Sequence, residues 1–201
     1  MQVHTLTLGA YQTNCYILEN GGKCVIIDPG YEPERILSFL KEKGLTLDAV
    51  LLTHGHFDHV GAVEALVEAT GCKLWMHERD WSQKPSPITA YFYPIANCDF
   101  TEVWFCEEGE VISAAGLDFA VMETPGHTWG SVCYRCGDIL FSGDTLFAGS
   151  CGRTDLPGGD WDTIQESLHR LATLPENLAV CPGHGEATTL EQERKYNPYV
   201  K

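Results

Sequence analysis

The chain has 201 residues, enough for one domain with a sizeable core, and its 44% hydrophobic and 20% charged residues exclude a disordered segment. With 28 acidic against 13 basic residues the formal charge is -15, a field that repels phosphate backbones, so no nucleic-acid partner is expected. No apolar run approaches the roughly 18 residues of a spanning helix, and Met1-Gln2-Val3-His4 offers no basic segment ahead of an apolar one, so a cytoplasmic protein with no membrane partner is expected.

No linker interrupts the chain, and residues 1–201 read as a single domain. The nine cysteines, odd in number, are expected as reduced thiols. Residues 3–8, 15–18 and 24–27 read as strands, the last two joined at Glu19-Asn20-Gly21-Gly22. Asp28-Pro29-Gly30 ends this meander. Pro33 then opens a helix with Ile36, Leu37 and Leu40 on one face and Gly44 as its stop. A strand at 49–52, a helix carrying Val63, Leu66 and Val67 before Gly71, and a strand at 73–76 follow.

Residues 77–106 are irregular, with Pro85, Pro87, Pro94 and the aromatics Trp81, Tyr91, Phe92, Tyr93, Phe100, Trp104 and Phe105. The run Tyr91-Phe92-Tyr93 either walls a substrate pocket or covers a satellite core. Strands at 117–123, 131–135 and 139–142 come next, the last two turning at Gly137-Asp138. Cys133 and Cys136, three apart in such an alternating stretch, face opposite sides and read as structural thiols. Asp160 caps a helix whose apolar face is Ile164, Leu168 and Leu171, ended by Pro175. A strand at 178–181 precedes a last helix, capped by Thr189 with Gln192 and broken at Asn197-Pro198.

The densest chemistry lies in Thr53-His54-Gly55-His56-Phe57-Asp58-His59-Val60-Gly61, directly after the apolar run 49–52. Buried histidines and aspartates are costly unless paired or coordinated. Side chains two apart in extended backbone leave on one side, so His54 and His56 can converge on one ion, while Asp58 and His59 address a second. Nitrogen and oxygen donors with no thiolate suit zinc, iron or manganese. Three later junctions repeat the grammar, each a β-like run followed by small residues and one ligand: Pro125-Gly126-His127, Gly143-Asp144 and Pro182-Gly183-His184. Gathered at one sheet edge, these junctions would present His54, His56, Asp58, His59, His127, Asp144 and His184 as a two-metal set. His4, His77 and His169 read as structural, and Cys151 as packing. Arg153 has two candidate partners, a substrate carboxylate and Asp155.

The pattern His54-x-His56-x-Asp58-His59 with His127, Asp144 and His184 resembles the motifs of the metallo-β-lactamase superfamily over nearly the whole chain. Gly143-Asp144-Thr145-Leu146-Phe147, the stretch from Gly149 to Leu156 and Asn197-Pro198-Tyr199 resemble the small glyoxalase II-like, or hydroxyacylglutathione hydrolase-like, enzymes. The form is short, without the C-terminal helical domain that helps full-length enzymes hold glutathione. The resemblance implies an αββα sandwich of two mixed β-sheets flanked by helices, with metals at one edge. It implies that one ion takes His54, His56 and His127, the other Asp58, His59 and His184, with Asp144 bridging. Two divalent ions are implied, zinc first, with iron or manganese as alternatives. The implied reaction is cleavage of a small-molecule acyl thioester, of the S-2-hydroxyacylglutathione type, by a metal-bridging hydroxide that Asp58 orients. A different thiol carrier, a lactone or other ester, and a mononuclear-iron persulfide dioxygenase remain alternatives within the superfamily.

Overall fold

The structure is a computed structural model and describes residues 1–82, 91–94 and 103–200. The first sheet is built from β1 (Gln2–Leu8), β2 (Thr13–Asn20), β3 (Lys23–Ile27), β4 (Thr46–Leu51), β5 (Lys73–Met76) and β6 (Val103–Phe105), in that spatial order. It is antiparallel through β3 and parallel from β3 to β6. The second sheet holds β7 (Val111–Ala114), β8 (Leu117–Glu123), β9 (Val132–Cys136), β10 (Ile139–Gly143), β13 (Ala179–Pro182) and β14 (Thr188–Thr189), ordered β14-β13-β10-β9-β8-β7. Its β10–β13 pair is parallel and the rest antiparallel, so both sheets are mixed. A hairpin of β11 (Leu146–Phe147) and β12 (Ser150–Cys151) stands apart from both. The edge strands β7 and β14, too short to stand out in the sequence, add to the predicted set.

The two-residue alternation of the strands produces the layers. In β2, Tyr16 and Leu18 join Phe119, Val121, Tyr134 and Phe141 of the second sheet in a core between the sheets. Cys15 and Ile17 point the other way, toward the helices α1 (Pro33–Lys43) and α3 (Val63–Thr70), which contribute Ile36, Leu40, Val63 and Leu66. On the far side, Leu140 and Val180 pack against Ile164, Leu168 and Leu171 of α5 (Trp161–Ala172) and Leu190 of α6 (Leu190–Tyr196). The short helices α2 (Phe57–Val60) and α4 (Glu78–Trp81) complete the set among the described residues. The result is the expected αββα sandwich. Cys133 lies in the outer core and Cys136 in the inner one, as their odd separation predicts. Among the described residues no helix is long and apolar enough to cross a membrane.

Helix ends follow the sequence signals. Gly44 closes α1 with φ 67°, Gly71 closes α3 with φ 65°, and both values are easy for glycine alone. Asp160 accepts from Thr163 N at 2.8 Å to start α5, and Thr189 accepts from Gln192 N at 3.2 Å to start α6. Pro85, Pro87 and Phe100 lie outside the described residues.

Two further glycines let the first meander approach the histidine-rich loop. A Cβ on Gly30 would overlap the carbonyl oxygen of Asp58, and one on Gly61 would overlap that of Gly30. Main chain cannot step aside as a side chain can. Gly30→Ala is therefore expected to lower stability by about 2–3 kcal/mol in urea unfolding; an unchanged midpoint would show that the two loops separate freely.

Candidate metal centre

Each predicted ligand is delivered by the chain just past a strand. β4 runs into Thr53, His54 and His56, and α2 continues with Asp58 and His59. His127 follows β8, Asp144 directly follows β10 and His184 follows β13. The structure brings all seven together. Donor atoms of His54, His56 and His127 lie within 4.8 Å of one another, and so do those of Asp58, His59 and His184. Asp144 stands between the trios, with Oδ2 3.5 Å from His127 Nε2 and 3.6 Å from His184 Nε2. Its Oδ1 is 3.4 Å from His59 Nε2.

The rings are held by acceptors on their outer nitrogens. His59 Nδ1 donates to Asp28 at 3.0 Å, His127 Nδ1 to the Arg153 carbonyl at 2.7 Å, and His184 Nδ1 to the Tyr11 carbonyl at 3.1 Å. The Thr53 hydroxyl donates to Asp28 at 2.7 Å and so accepts from His54 Nδ1 at 3.0 Å. In these four rings Nδ1 is engaged as a donor, which leaves Nε2 as the nitrogen turned toward the cluster. His56 is the exception, with Nδ1 3.0 Å from His127 Nε2.

Charge inside the cluster is unbalanced. Burial, and then the neighbouring imidazoles, push His54 far below the ordinary range and His56 down to about 2. Burial also pushes His59 down, but Asp144 and Asp28 outweigh it and bring the ring up to about 9. Burial favours protonation of Asp58, yet His184 and His59 hold its carboxyl below the usual carboxylate range. The carboxylates thus draw positive charge to a place where imidazoles resist protonation. His54 Nε2, His56 Nε2 and Asp144 Oδ1 are buried and have no hydrogen-bond partner among the described residues. The uncharged His54 and His56, the ionised Asp58, the carboxylates that draw positive charge toward His59 and the orphaned acceptors fit divalent cations with nitrogen and oxygen preference.

Two buried aspartates that the sequence reading did not single out support the ligands. Asp28 accepts from Thr53 N at 2.8 Å as well as from Thr53 Oγ1 and His59. Asp80, fully buried in α4, accepts from Gly55 N at 2.9 Å, Thr128 Oγ1 at 2.8 Å and Gly130 N at 2.7 Å. It ties the loop of His54 and His56 to the loop of His127, and burial pushes its carboxyl up despite these donors. The His184 loop is tied in turn by Asn14 Nδ2 and Tyr16 OH, which donate to the Pro182 carbonyl at 3.1 and 2.7 Å.

Other predicted residues fall outside the cluster. His4 pairs with Glu19 at 2.8 Å, His77 caps α4 and lies 3.2 Å from Glu123, and His169 is exposed. Arg153 donates through Nε and Nη2 to both oxygens of Asp155, at 2.6 and 2.7 Å. A cavity of about 600 Å³ opens over the metal-competent residues, lined by His56, Asp58, His127, Asp144 and His184 together with aromatic side chains and Arg153.

Residues 8–184 match the family model of the metallo-β-lactamase superfamily. The hydroxyacylglutathione hydrolase GloC of Haemophilus influenzae is 35% identical over all of this chain and 98% of its own length. Among solved structures, a B3 metallo-β-lactamase, BLEG-1, superposes with a TM-score of 0.86 at 37% identity, covering all of both chains. TTHA1623, solved in a di-iron-bound form, gives 0.85 at 41% identity over 98% of this chain and all of its own.

Asp80→Ala leaves three buried donors without their acceptor and frees one ligand loop from the other. Metal affinity, read by chelator competition, is expected to fall about 10–100-fold, with fewer metal ions per chain by mass spectrometry. Wild-type affinity and stoichiometry in the variant would remove Asp80 from the support of the site.

Proposed function

The chain belongs to the metallo-β-lactamase superfamily, and from that premise we propose that it is a binuclear metal-dependent hydrolase of acyl thioesters, with S-2-hydroxyacylglutathione compounds as the nearest substrate class. The observation that carries this reading is the pair of ligand trios sharing Asp144. His54, His56 and His127 would hold one ion, and Asp58, His59 and His184 the other, with Asp144 between them. Zinc is the first candidate, and the di-iron form of a neighbour 41% identical supports iron as the second. When bound, such ions lower the pKa of water from 15.7 toward about 7 and polarise a carbonyl oxygen.

The chain's own residues supply orientation. Asp58, kept ionised by His184 at 3.3 Å and His59 at 3.8 Å, accepts a hydrogen bond from the attacking water and aims its lone pair at the acyl carbon. No side-chain nucleophile competes with that water among the described lining residues. Burial pushes the Cys151 thiol up, so it is protonated near neutrality, and Ser150 has no histidine bonded to it. The main-chain carbonyl of Arg153 orients His127, while its guanidinium would meet a substrate carboxylate only through the donors that Asp155 leaves open. The identity to hydroxyacylglutathione hydrolase GloC supports the thioester as the bond cleaved.

A panel of acyl thioesters, lactones, a β-lactam and glutathione persulfide, assayed with and without oxygen, tests the reading. Thioester hydrolysis independent of oxygen and abolished by chelation is expected, with two ions per chain. Turnover that requires oxygen would overturn it in favour of iron-dependent oxidation of a persulfide, and a stoichiometry below one ion would overturn the metal-dependent reading itself. Asp58→Asn is expected to lower kcat by at least about 100-fold with the urea midpoint retained; near-normal kcat would remove Asp58 from the reaction.

A further inference from the structure

We propose that this cavity selects its thioester through an aromatic wall that receives an aryl or similarly bulky apolar group, and not through recognition of a charged thiol carrier. The reaction itself rests on the hydrolase reading above. The wall is assembled from three parts of the chain: Tyr11 between β1 and β2, Phe57 at the start of α2, and the adjacent Tyr91 and Phe92. Phe57 is its centre, with ring centroids 5.1 Å from Tyr11, 5.6 Å from Tyr91 and 6.4 Å from Phe92. Tyr91 and Phe92 meet edge to face at 5.1 Å, and Phe92 lies 6.3 Å from the ring of His56. The aromatic surface therefore runs without a break from the metal-competent floor to the rim.

At the rim the rings are not covered, since Tyr11 is 55% and Tyr91 64% exposed. Exposed aromatic area gathered at the mouth of a cavity marks a surface that gains by being covered. Edge-to-face and tilted neighbours leave ring faces open to a further ring in offset or T-shaped geometry. The polar side is less inviting to an anion. Arg153 is the one lysine or arginine among the described lining residues, and Asp155 already occupies its guanidinium on two nitrogens. A carboxylate of glutathione would have to share the guanidinium with that partner, on the donors that Asp155 leaves open. The net charge of -15 gives an anionic carrier no long-range attraction either. The apolar group can sit on the acyl half or the thiol half of the thioester, and the two are separated by assay.

With the metal-loaded protein, kcat/KM is compared for S-mandeloyl- against S-lactoylglutathione, which varies the acyl half. S-lactoyl benzyl mercaptan against S-lactoylglutathione varies the thiol half. The affinities of S-benzyl- and S-methylglutathione, thioethers that cannot be hydrolysed, are measured by calorimetry. A preference of about tenfold or more for the ring-bearing compound is expected in at least one kinetic arm and in binding. It is expected to shrink severalfold in Phe92→Ala and in Tyr91→Ala, the latter altering an exposed ring with little consequence for folding. Equal kcat/KM in both arms with equal thioether affinities would overturn the aromatic wall and leave the hydrolase reading intact. Absence of thioester turnover, with the binding preference present and lost in both variants, would overturn the hydrolase reading while upholding the wall.

Discussion

Most of the structure around the site depends on one constraint: three buried imidazoles and one half-buried are held through Nδ1, with Nε2 turned into the cluster. His54 is set by the Thr53 hydroxyl, His59 by Asp28, His127 by the Arg153 carbonyl and His184, half-buried, by the Tyr11 carbonyl. Each acceptor engages Nδ1, and each choice leaves Nε2 as the nitrogen that faces the other ligand candidates. Lone pairs brought together repel; burial keeps His54, and His56 beside it, from relieving the repulsion by taking up a proton, whereas the carboxylates around His59 draw positive charge toward it. A cation bound there would offset the repulsion, and its binding free energy would then become part of the stability of the loops that form the site.

Those loops come from both sheets, so their relative placement is inherited from the core between the sheets. Tyr16 shows the connection at a single residue: its ring packs in that core against Phe141 at 5.2 Å, while its hydroxyl holds the Pro182 carbonyl beside His184. Asp80 does the same for the other half of the site. Burying a carboxylate is costly, and three donors from two different loops offset the cost only if both loops are in place. The network therefore behaves as a unit, favouring one arrangement of ligands and penalising partial ones.

The metal-competent residues were legible in the sequence because their density has no cheap structural explanation, and the layers were legible because period two in β2 and β9 separates one core from another. The supports were not. Asp28 sits at φ 52° before Pro29 and reads as a simple strand end, while Asp80 lies in an irregular stretch with partners 25, 48 and 50 residues away. Nothing local marks such an acceptor. The run Tyr91-Phe92-Tyr93 divides between cavity wall and interior. Tyr91 and Phe92 line the cavity, whereas Tyr93 is buried and donates to the Pro157 carbonyl at 2.6 Å. Only the fold decides which neighbour turns inward.

Metal binding and substrate selection are not separable parts of this molecule. Phe57 lies between His56 and Asp58 in the chain, so the ring at the centre of the aromatic wall rides on the same backbone that delivers ligands to both trios. Phe92, close to His56, extends the coupling through space. Arg153 is arranged differently, since the part of it that touches the site is a main-chain carbonyl that any residue supplies. Its side chain can change without disturbing His127, while a change at Phe57 acts next to two ligands at once. Selection by an apolar group is thereby tied to an intact ligand loop, and selection by charge is left to an exposed arginine whose partner, Asp155, lies two residues away.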